Sequence, residues 1–174
     1  MLFLQLTGLP GAGKTTLSQL VKVRLQQQGK GVEVLDGDDL RKTINKDLGF
    51  SRADRQENLR RLGDLGYSHF LQNKIVIIAA INPFEETRRE LSKKYGAKTI
   101  WIFCPLATLI QRDPKGLYKK ALLPDDHPNK IFNLTGINDV YEEPLSADLV
   151  IDTEKNSVEN ASDLLLQFIL DRIR

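Results

Sequence analysis

The run Gly8-Leu9-Pro10-Gly11-Ala12-Gly13-Lys14-Thr15-Thr16 follows directly on the apolar stretch Leu2-Phe3-Leu4-Gln5-Leu6. An apolar run, a glycine-rich turn and a helix start, with lysine and threonine at these offsets, read as a strand, a phosphate-cradling loop and a helix. Each residue type has a physical task. Glycines let backbone N–H groups turn toward phosphate oxygens, and the following helix adds the positive end of its dipole. Lys14 has the length to reach terminal phosphates, and the Thr15 hydroxyl suits a Mg²⁺ ion carried by ATP. Gly8, Gly11, Ala12, Gly13, Lys14, Thr15 and Thr16 are therefore the expected ATP contacts.

Downstream, short apolar runs alternate with longer amphipathic stretches, the pattern of parallel strands joined by helices. Strands are predicted from Phe3 to Leu6, Val32 to Leu35, Ile75 to Ile81, Thr99 to Phe103 and Leu149 to Ile151. Helices are predicted from Lys14 to about Gln28, Arg52 to about Gln72, Pro83 to about Lys94, Leu106 to Arg112 and Ser157 to Ile173, the last with an apolar face. The expected architecture is α/β: a single domain, 1–174, built on a doubly wound parallel sheet of about five strands with helices on both faces. Asp113 to Pro144 breaks the rhythm with six prolines and glycines and with Lys115, Lys119, Lys120 and Lys130. A segment this long and basic, placed between the last two strands, suits a lid that closes on phosphates and excludes water.

A carboxylate-rich turn, Asp36-Gly37-Asp38-Asp39, closes the second strand. The carboxyl ends of strands in an open parallel sheet line its ligand crevice, which brings this turn to the rim that holds Lys14 and Thr15. A carboxylate there can organise Mg²⁺-bound water or accept the proton of an attacking hydroxyl. Asp39 reads as the helix cap and Asp38 as the catalytic group and metal partner. On the next helix Arg55 and Asn58 share a face. Arginine suits bidentate recognition of phosphate or sulfate, and asparagine suits a base or ribose edge. Arg60 and Arg61 read as partners of Glu57 and Asp64 on a wet face. Phe50 is either a core anchor or a surface on which a base stacks.

Composition excludes several classes. A net charge of +2 gives no bulk attraction for nucleic acid, and no apolar run approaches membrane-spanning length. The N-terminus lacks a secretory pattern, and the single cysteine, Cys104, ends an apolar run and reads as a buried strand residue. A cytoplasmic enzyme is the expectation. His69 and His127 match no metal-ligand spacing.

Several segments resemble the adenylylsulfate kinase family. They are Leu35 to Arg41, Asn45 to Ser51, the pairs Asp54-Arg55, Glu57-Asn58 and Arg60-Arg61, the decapeptide Arg112 to Ala121, Thr135-Gly136-Ile137 and Tyr141-Glu142. The resemblance runs from the phosphate loop to about Asp152. It implies transfer of the γ-phosphoryl group of MgATP to the ribose 3′-hydroxyl of adenosine 5′-phosphosulfate, giving ADP and 3′-phosphoadenosine 5′-phosphosulfate. It also implies a sheet similar to that of nucleoside monophosphate kinases, and a homodimer. On matching positions, Asp38 would orient or deprotonate the hydroxyl. Asp36, Arg41, Arg55 and Asn58 would serve the sulfonucleotide, with Phe50 against its adenine. Lys115 and the backbone at Leu117 would close over the acceptor together with Leu134, Thr135, Gly136 and Ile137, and Arg112 would lie near the ATP base and phosphates.

The chain also departs from the family. Asn82-Pro83-Phe84-Glu85 stands where Ser-Pro-Tyr-Arg is common. Asparagine cannot accept a phosphoryl group as serine could, so direct in-line transfer is expected. Glu85 places negative charge where the family has positive, which is expected to alter binding of the acceptor anion. Leu134 replaces a lid phenylalanine, offering apolar cover but no ring stacking, and Asn138-Asp139-Val140 replaces Asp-Ser-Pro. Leu122 to Asn129 reads as an insertion.

Overall fold

The structure, a computed structural model, describes residues 1–72 and 74–173. Five parallel strands, β1 (Phe3–Thr7), β2 (Val32–Asp36), β3 (Ile75–Ala79), β4 (Lys98–Phe103) and β5 (Leu149–Asp152), lie in the order β2-β3-β1-β4-β5. The α/β reading of the sequence holds, with strand ends shifted by one or two residues. Among the described residues six helices lie between the strands and a seventh follows the last: α1 (Lys14–Gln27), α2 (Gly37–Arg41), α3 (Arg52–Phe70), α4 (Glu85–Tyr95), α5 (Leu106–Arg112), α6 (Leu117–Ala121) and α7 (Val158–Arg172).

Alternation along β3 shows why both faces need covering. Ile75 and Ile77 pack with Leu4, Leu6, Ile100 and Ile102 under α1 and α7, whereas Val76 and Ile78 pack with Phe3 under α3 and α4. Burying each such side chain contributes roughly 1.5–3 kcal/mol, so a central strand apolar on both sides is held from both faces. Cys104 is buried at the end of β4, as expected, and burial pushes its thiol above the ordinary range.

The short helix α6 was not legible in the sequence, and the helix of the acidic turn, α2, starts earlier than a cap at Asp39 implies. Gly37 opens α2 directly after β2, and α6 stands inside the segment expected to be a loop. The helix expected from Pro83 begins at Glu85, because Phe84 is still extended and serves as the N-cap. Strand order reverses around β1, so the loops after β1, β2 and β3 open onto one crevice at the carboxyl rim.

Candidate active site

The phosphate loop starts where β1 runs out. Gly8 has φ +151°, and a Cβ there would lie 2.3 Å from the carbonyl oxygen of Ile102, so only glycine fits against β4. Gly11 and Gly13 also have positive φ. Lys14 folds back over the loop and donates from Nζ to the carbonyls of Gly8 (2.7 Å) and Leu9 (2.9 Å). Burial pushes its ammonium down to about 8, against the opposing pull of Asp38 and Asp36. The Thr15 hydroxyl donates to Asp36 Oδ2 at 2.7 Å, and Thr16 is exposed. Behind the loop, Thr153 donates to the carbonyl of Ala12 (3.2 Å), and Arg112 Nη1 donates to the carbonyl of Thr153 (3.1 Å). Arg112 therefore lies on the loop's rear side, apart from the acidic turn.

The acidic turn joins the loop through Asp36. Its Oδ1 accepts from the backbone N–H of Asp38 (2.9 Å) and Asp39 (3.4 Å), so Asp36 is the N-cap of α2, and Asp39 is not. The helix starts at the residue after the strand ends, so the strand's last side chain faces the free N–H groups. Asp39 instead pairs with Lys42 at 2.8 Å. Asp38 projects from the first turn of α2 and meets Lys115 of the lid at 3.4 Å, both side chains exposed. One carboxylate, Asp36, thus fixes Thr15 on one side and the backbone that carries Asp38 on the other.

The facing wall comes from the turn before α3 and from α3 itself. Phe50 is 54% exposed, which removes the core-anchor reading. Guanidinium groups flank its ring, Arg41 at 5.0 Å and Arg55 at 5.5 Å from the centroid. Arg41 is steadied by the carbonyls of Gly49 (2.6 Å) and Leu48 (3.3 Å), and burial together with neighbouring Arg55 lowers its pKa. Arg55 donates from Nε to the Phe50 carbonyl (3.0 Å) and from Nη2 to the Asn133 carbonyl (2.9 Å) and Asp139 Oδ2 (2.7 Å). Asn58 accepts from Asn45 Nδ2 at 2.9 Å, and both amides are buried. Asn45 and Asp139 stood in segments compared with the family, but neither was assigned a role in the site. Both are partners of picked residues, but nothing in the spacing says so. Arg60 and Arg61 pair with Glu57, and Arg60 with Asp64, on the wet face as expected.

The segment 113–144 carries more structure than a loop. Asp113 accepts from the N–H groups of Tyr118 (3.1 Å) and Lys119 (2.9 Å), which starts α6 at Leu117. Gly136 (φ +91°) lies against Leu9 so closely that a Cβ would stand 2.5 Å from Leu9 Cδ2. Ile137 packs against the core beside it. Leu134 is 7% exposed and belongs to the core, and Thr135 is buried with it. The apolar cover that Leu134 was expected to give an adenine is therefore turned inward. Lys130, directly after the inserted stretch, pairs with Asp125 inside it at 2.8 Å, so the insertion is tied to its own base.

Two departures from the family acquire reasons. Asn82 has φ +44°, a left-handed conformation that asparagine tolerates, and its amide donates to buried Gln5 at 2.9 Å. Glu85 finds its side-chain partners on its own helix. It binds Arg88 (2.9 Å) and Arg89 (3.1 Å), and Arg88 also donates to the carbonyls of Asn82 (2.7 Å) and Glu142 (2.7 Å). The expected effect of Glu85 on an acceptor anion is replaced by an anchor for the returning limb of the lid.

No group of three or more His, Cys, Asp or Glu side chains able to hold a metal occurs among the described residues. The Thr15 hydroxyl meets Asp36 directly, and the carboxylates of Asp36 and Asp38 both act on the charge of Lys14 beside them. This all-oxygen set fits Mg²⁺, which keeps several waters and takes one or two carboxylates besides substrate phosphates.

Comparison with known proteins gives the family and the fold. The family profile described as Adenylylsulphate kinase matches residues 1–152. An adenylyl-sulfate kinase of Bacillus licheniformis is 43% identical over 172 residues, covering 97% of this chain and 85% of the relative. One from Synechococcus sp. is 44% identical over 162 residues, covering 92% and 89%. Among solved structures, the Mycobacterium tuberculosis APS kinase CysC in complex with AMPPNP and APS superposes with a TM-score of 0.88 at 35% identity, covering 97% of this chain and 96% of that one.

Proposed function

The chain belongs to the adenylylsulphate kinase family, and we propose that it moves the γ-phosphoryl group of ATP to the ribose 3′-hydroxyl of adenosine 5′-phosphosulfate. The hydroxyl oxygen bonds to the γ-phosphorus, the bond from phosphorus to the β,γ-bridging oxygen breaks, and ADP leaves. The observation that carries this reading is the Asp36 bridge. It joins the Thr15 hydroxyl at 2.7 Å to the turn bearing Asp38, so donor and acceptor cradles share one rim.

Little covalent work falls to a protein in phosphoryl transfer; positioning and charge do most of it. The phosphate loop from Gly8 to Thr16 holds the triphosphate, with Lys14 leaving the Gly8 and Leu9 carbonyls to meet phosphate oxygens. Arg112 serves the base side of ATP. Thr15, Asp36 and Asp38 would hold Mg²⁺, which supplies charge neutralisation at the β- and γ-phosphates. Asp38 accepts the hydroxyl hydrogen bond, orients the oxygen and takes its proton. Arg41 and Arg55 take the phosphosulfate, Asn58 an edge of the nucleoside, and exposed Phe50 the adenine face. Lys115, already 3.4 Å from Asp38, brings the lid with Leu117, Gly136 and Ile137 over the site, while buried Leu134 and Thr135 support it from the core side. Asn82, hydrogen-bonded to Gln5, leaves no hydroxyl for a phosphoenzyme, so transfer is direct.

The enzyme works where ATP is, in the cytoplasm, and as a homodimer; light scattering after gel filtration measures the latter. Among the described residues no helix is long and apolar enough to cross a membrane. The deciding experiment couples ADP release to the acceptor. Rates with adenosine 5′-phosphosulfate far above those with AMP support the assignment, and equal rates overturn it.

A further inference from the structure

Arg55 is buried to 7% exposure, yet its guanidinium faces a site assigned to an anion. Three of its N–H bonds are already used: Nε–H on Phe50, and both Nη2–H on Asn133 and Asp139. The first two partners are carbonyls, which orient without changing net charge. Asp139 is different. It is a full carboxylate at 2.7 Å, 28% exposed, carried on the lid's returning limb 84 residues away. Of the two guanidinium groups around Phe50, Arg55 is thus paired directly with a carboxylate of the protein's own, while Arg41 feels Asp38 and Asp54 only at longer range.

We propose that Asp139 is an internal stand-in for the acceptor's anionic group: it occupies Arg55 in the empty protein and sets how tightly a phosphosulfate can bind. This rests on the functional reading above. Two structural details support it. Asp139 is held in place by its own loop, since its Oδ1 accepts from the N–H of Val140 (2.8 Å) and its carbonyl accepts from Gly136 N–H (2.8 Å). It also lines the cleft of about 410 Å³ that opens between Leu9, the end of β4 and the lid. The carboxylate thus has somewhere to move when an incoming anion takes its place, and the same loop returns it afterwards. An incoming sulfonucleotide exchanges one ion pair for another, so affinity is spent on displacing Asp139, and an acceptor lacking the anion cannot displace it. Asp139 is accordingly a determinant of acceptor charge.

Asp139→Asn keeps an oxygen for Arg55 and removes the charge. A part-buried ion pair of this kind is worth enough that the KM for adenosine 5′-phosphosulfate should fall about fivefold, with the KM for ATP changed less than about twofold. The second readout needs no turnover: thermal unfolding against added sodium sulfate, with sodium chloride matched for ionic strength. The variant's empty form should melt lower than wild type, because Arg55 has lost its counter-charge. Sulfate should recover that loss at lower concentration than it acts on wild type, and Arg55→Gln in the same background should abolish the recovery. A carboxylate that only orients Arg55 predicts the reverse, a raised KM and no sulfate-specific recovery, and that result overturns the proposal. An unchanged KM and unchanged sulfate midpoint overturn it as well, with the kinase assignment still standing. Sulfate recovery in Asp139→Asn without turnover on any acceptor keeps the stand-in role and overturns the assigned reaction instead.

Discussion

The buried hydroxyl of Tyr118 donates to the carbonyl of Pro10 at 2.8 Å, tying the first helix of the lid to the phosphate loop across 108 residues. Burial, with Asp113 nearby, raises the pKa of this phenol, so it stays a donor throughout the working range. The base of the 113–144 segment is thereby fixed relative to the phosphate loop. Tyr118→Phe leaves the ring in the core but strands the Pro10 carbonyl. An unmet buried acceptor costs about 1–3 kcal/mol, so the melting temperature should fall by roughly 2–10 °C, and the KM for ATP should rise. Calorimetry and steady-state kinetics on the one variant check both; an unchanged KM would confine Tyr118 to stability.

Asp38 makes no hydrogen bond that holds the fold together beyond the exposed contact with Lys115, so its loss should be read in chemistry. Asp38→Asn should lower turnover by about 10²–10⁴-fold, the range for removal of a general base. Asp36 still caps α2 and holds Thr15 in this variant. Binding of a non-hydrolysable ATP analogue should therefore stay close to wild type. Turnover within a fewfold of wild type would remove Asp38 from the mechanism.

Lys14 gives a pH signature whose sign follows from burial. Its pKa is about 8 in the folded, empty protein against 10.5 unperturbed. Between these values the unfolded chain binds more protons than the native one, so stability of the empty protein gains from this group as pH rises across that window. Nucleotide binding runs the other way. Phosphate oxygens favour the ammonium, so affinity should be highest below about pH 8 and fall above it, with proton uptake on binding near pH 9. Calorimetric titration with an ATP analogue in two buffers of different ionisation enthalpy measures that uptake. No buffer dependence would mean that Lys14 is already fully charged in the empty loop.

What the sequence showed and what it hid divide along a physical line. The phosphate loop, the five strands and the polar face of α3 rest on local pattern: glycine spacing, apolar runs and helical period. The pairings that shape the site are non-local. Arg55 advertises a charge but not its partner Asp139, and Tyr118 advertises a ring but not the Pro10 carbonyl. The cap at Asp36 was missed because a helix of five residues, starting one residue after a strand, has no period to read. Phe50 could not be settled either, since a phenylalanine beside a helix start packs inward in most proteins; here two arginines hold its ring at the surface.

Glu85 separates the family expectation from the structure most cleanly. If its charge acted on the acceptor, restoring the usual arginine would tighten acceptor binding. In the structure Glu85 is 16% exposed and lies between Arg88, which is 2% exposed, and Arg89, while its backbone N–H donates to Glu142 at 2.7 Å. Glu85→Arg would set three arginines against one another around a buried guanidinium. Breaking such a buried pair costs about 3–5 kcal/mol, so a loss of at least that size is expected in urea unfolding. Glu85→Gln keeps one acceptor oxygen for Arg88 and should lose roughly half as much. For Glu85→Gln the KM for the sulfonucleotide should stay within about twofold, because Glu85 contacts the lid's anchor and not the Arg41–Arg55 wall. A lowered KM in Glu85→Gln with unchanged stability would return Glu85 to the acceptor site and undo the anchoring role.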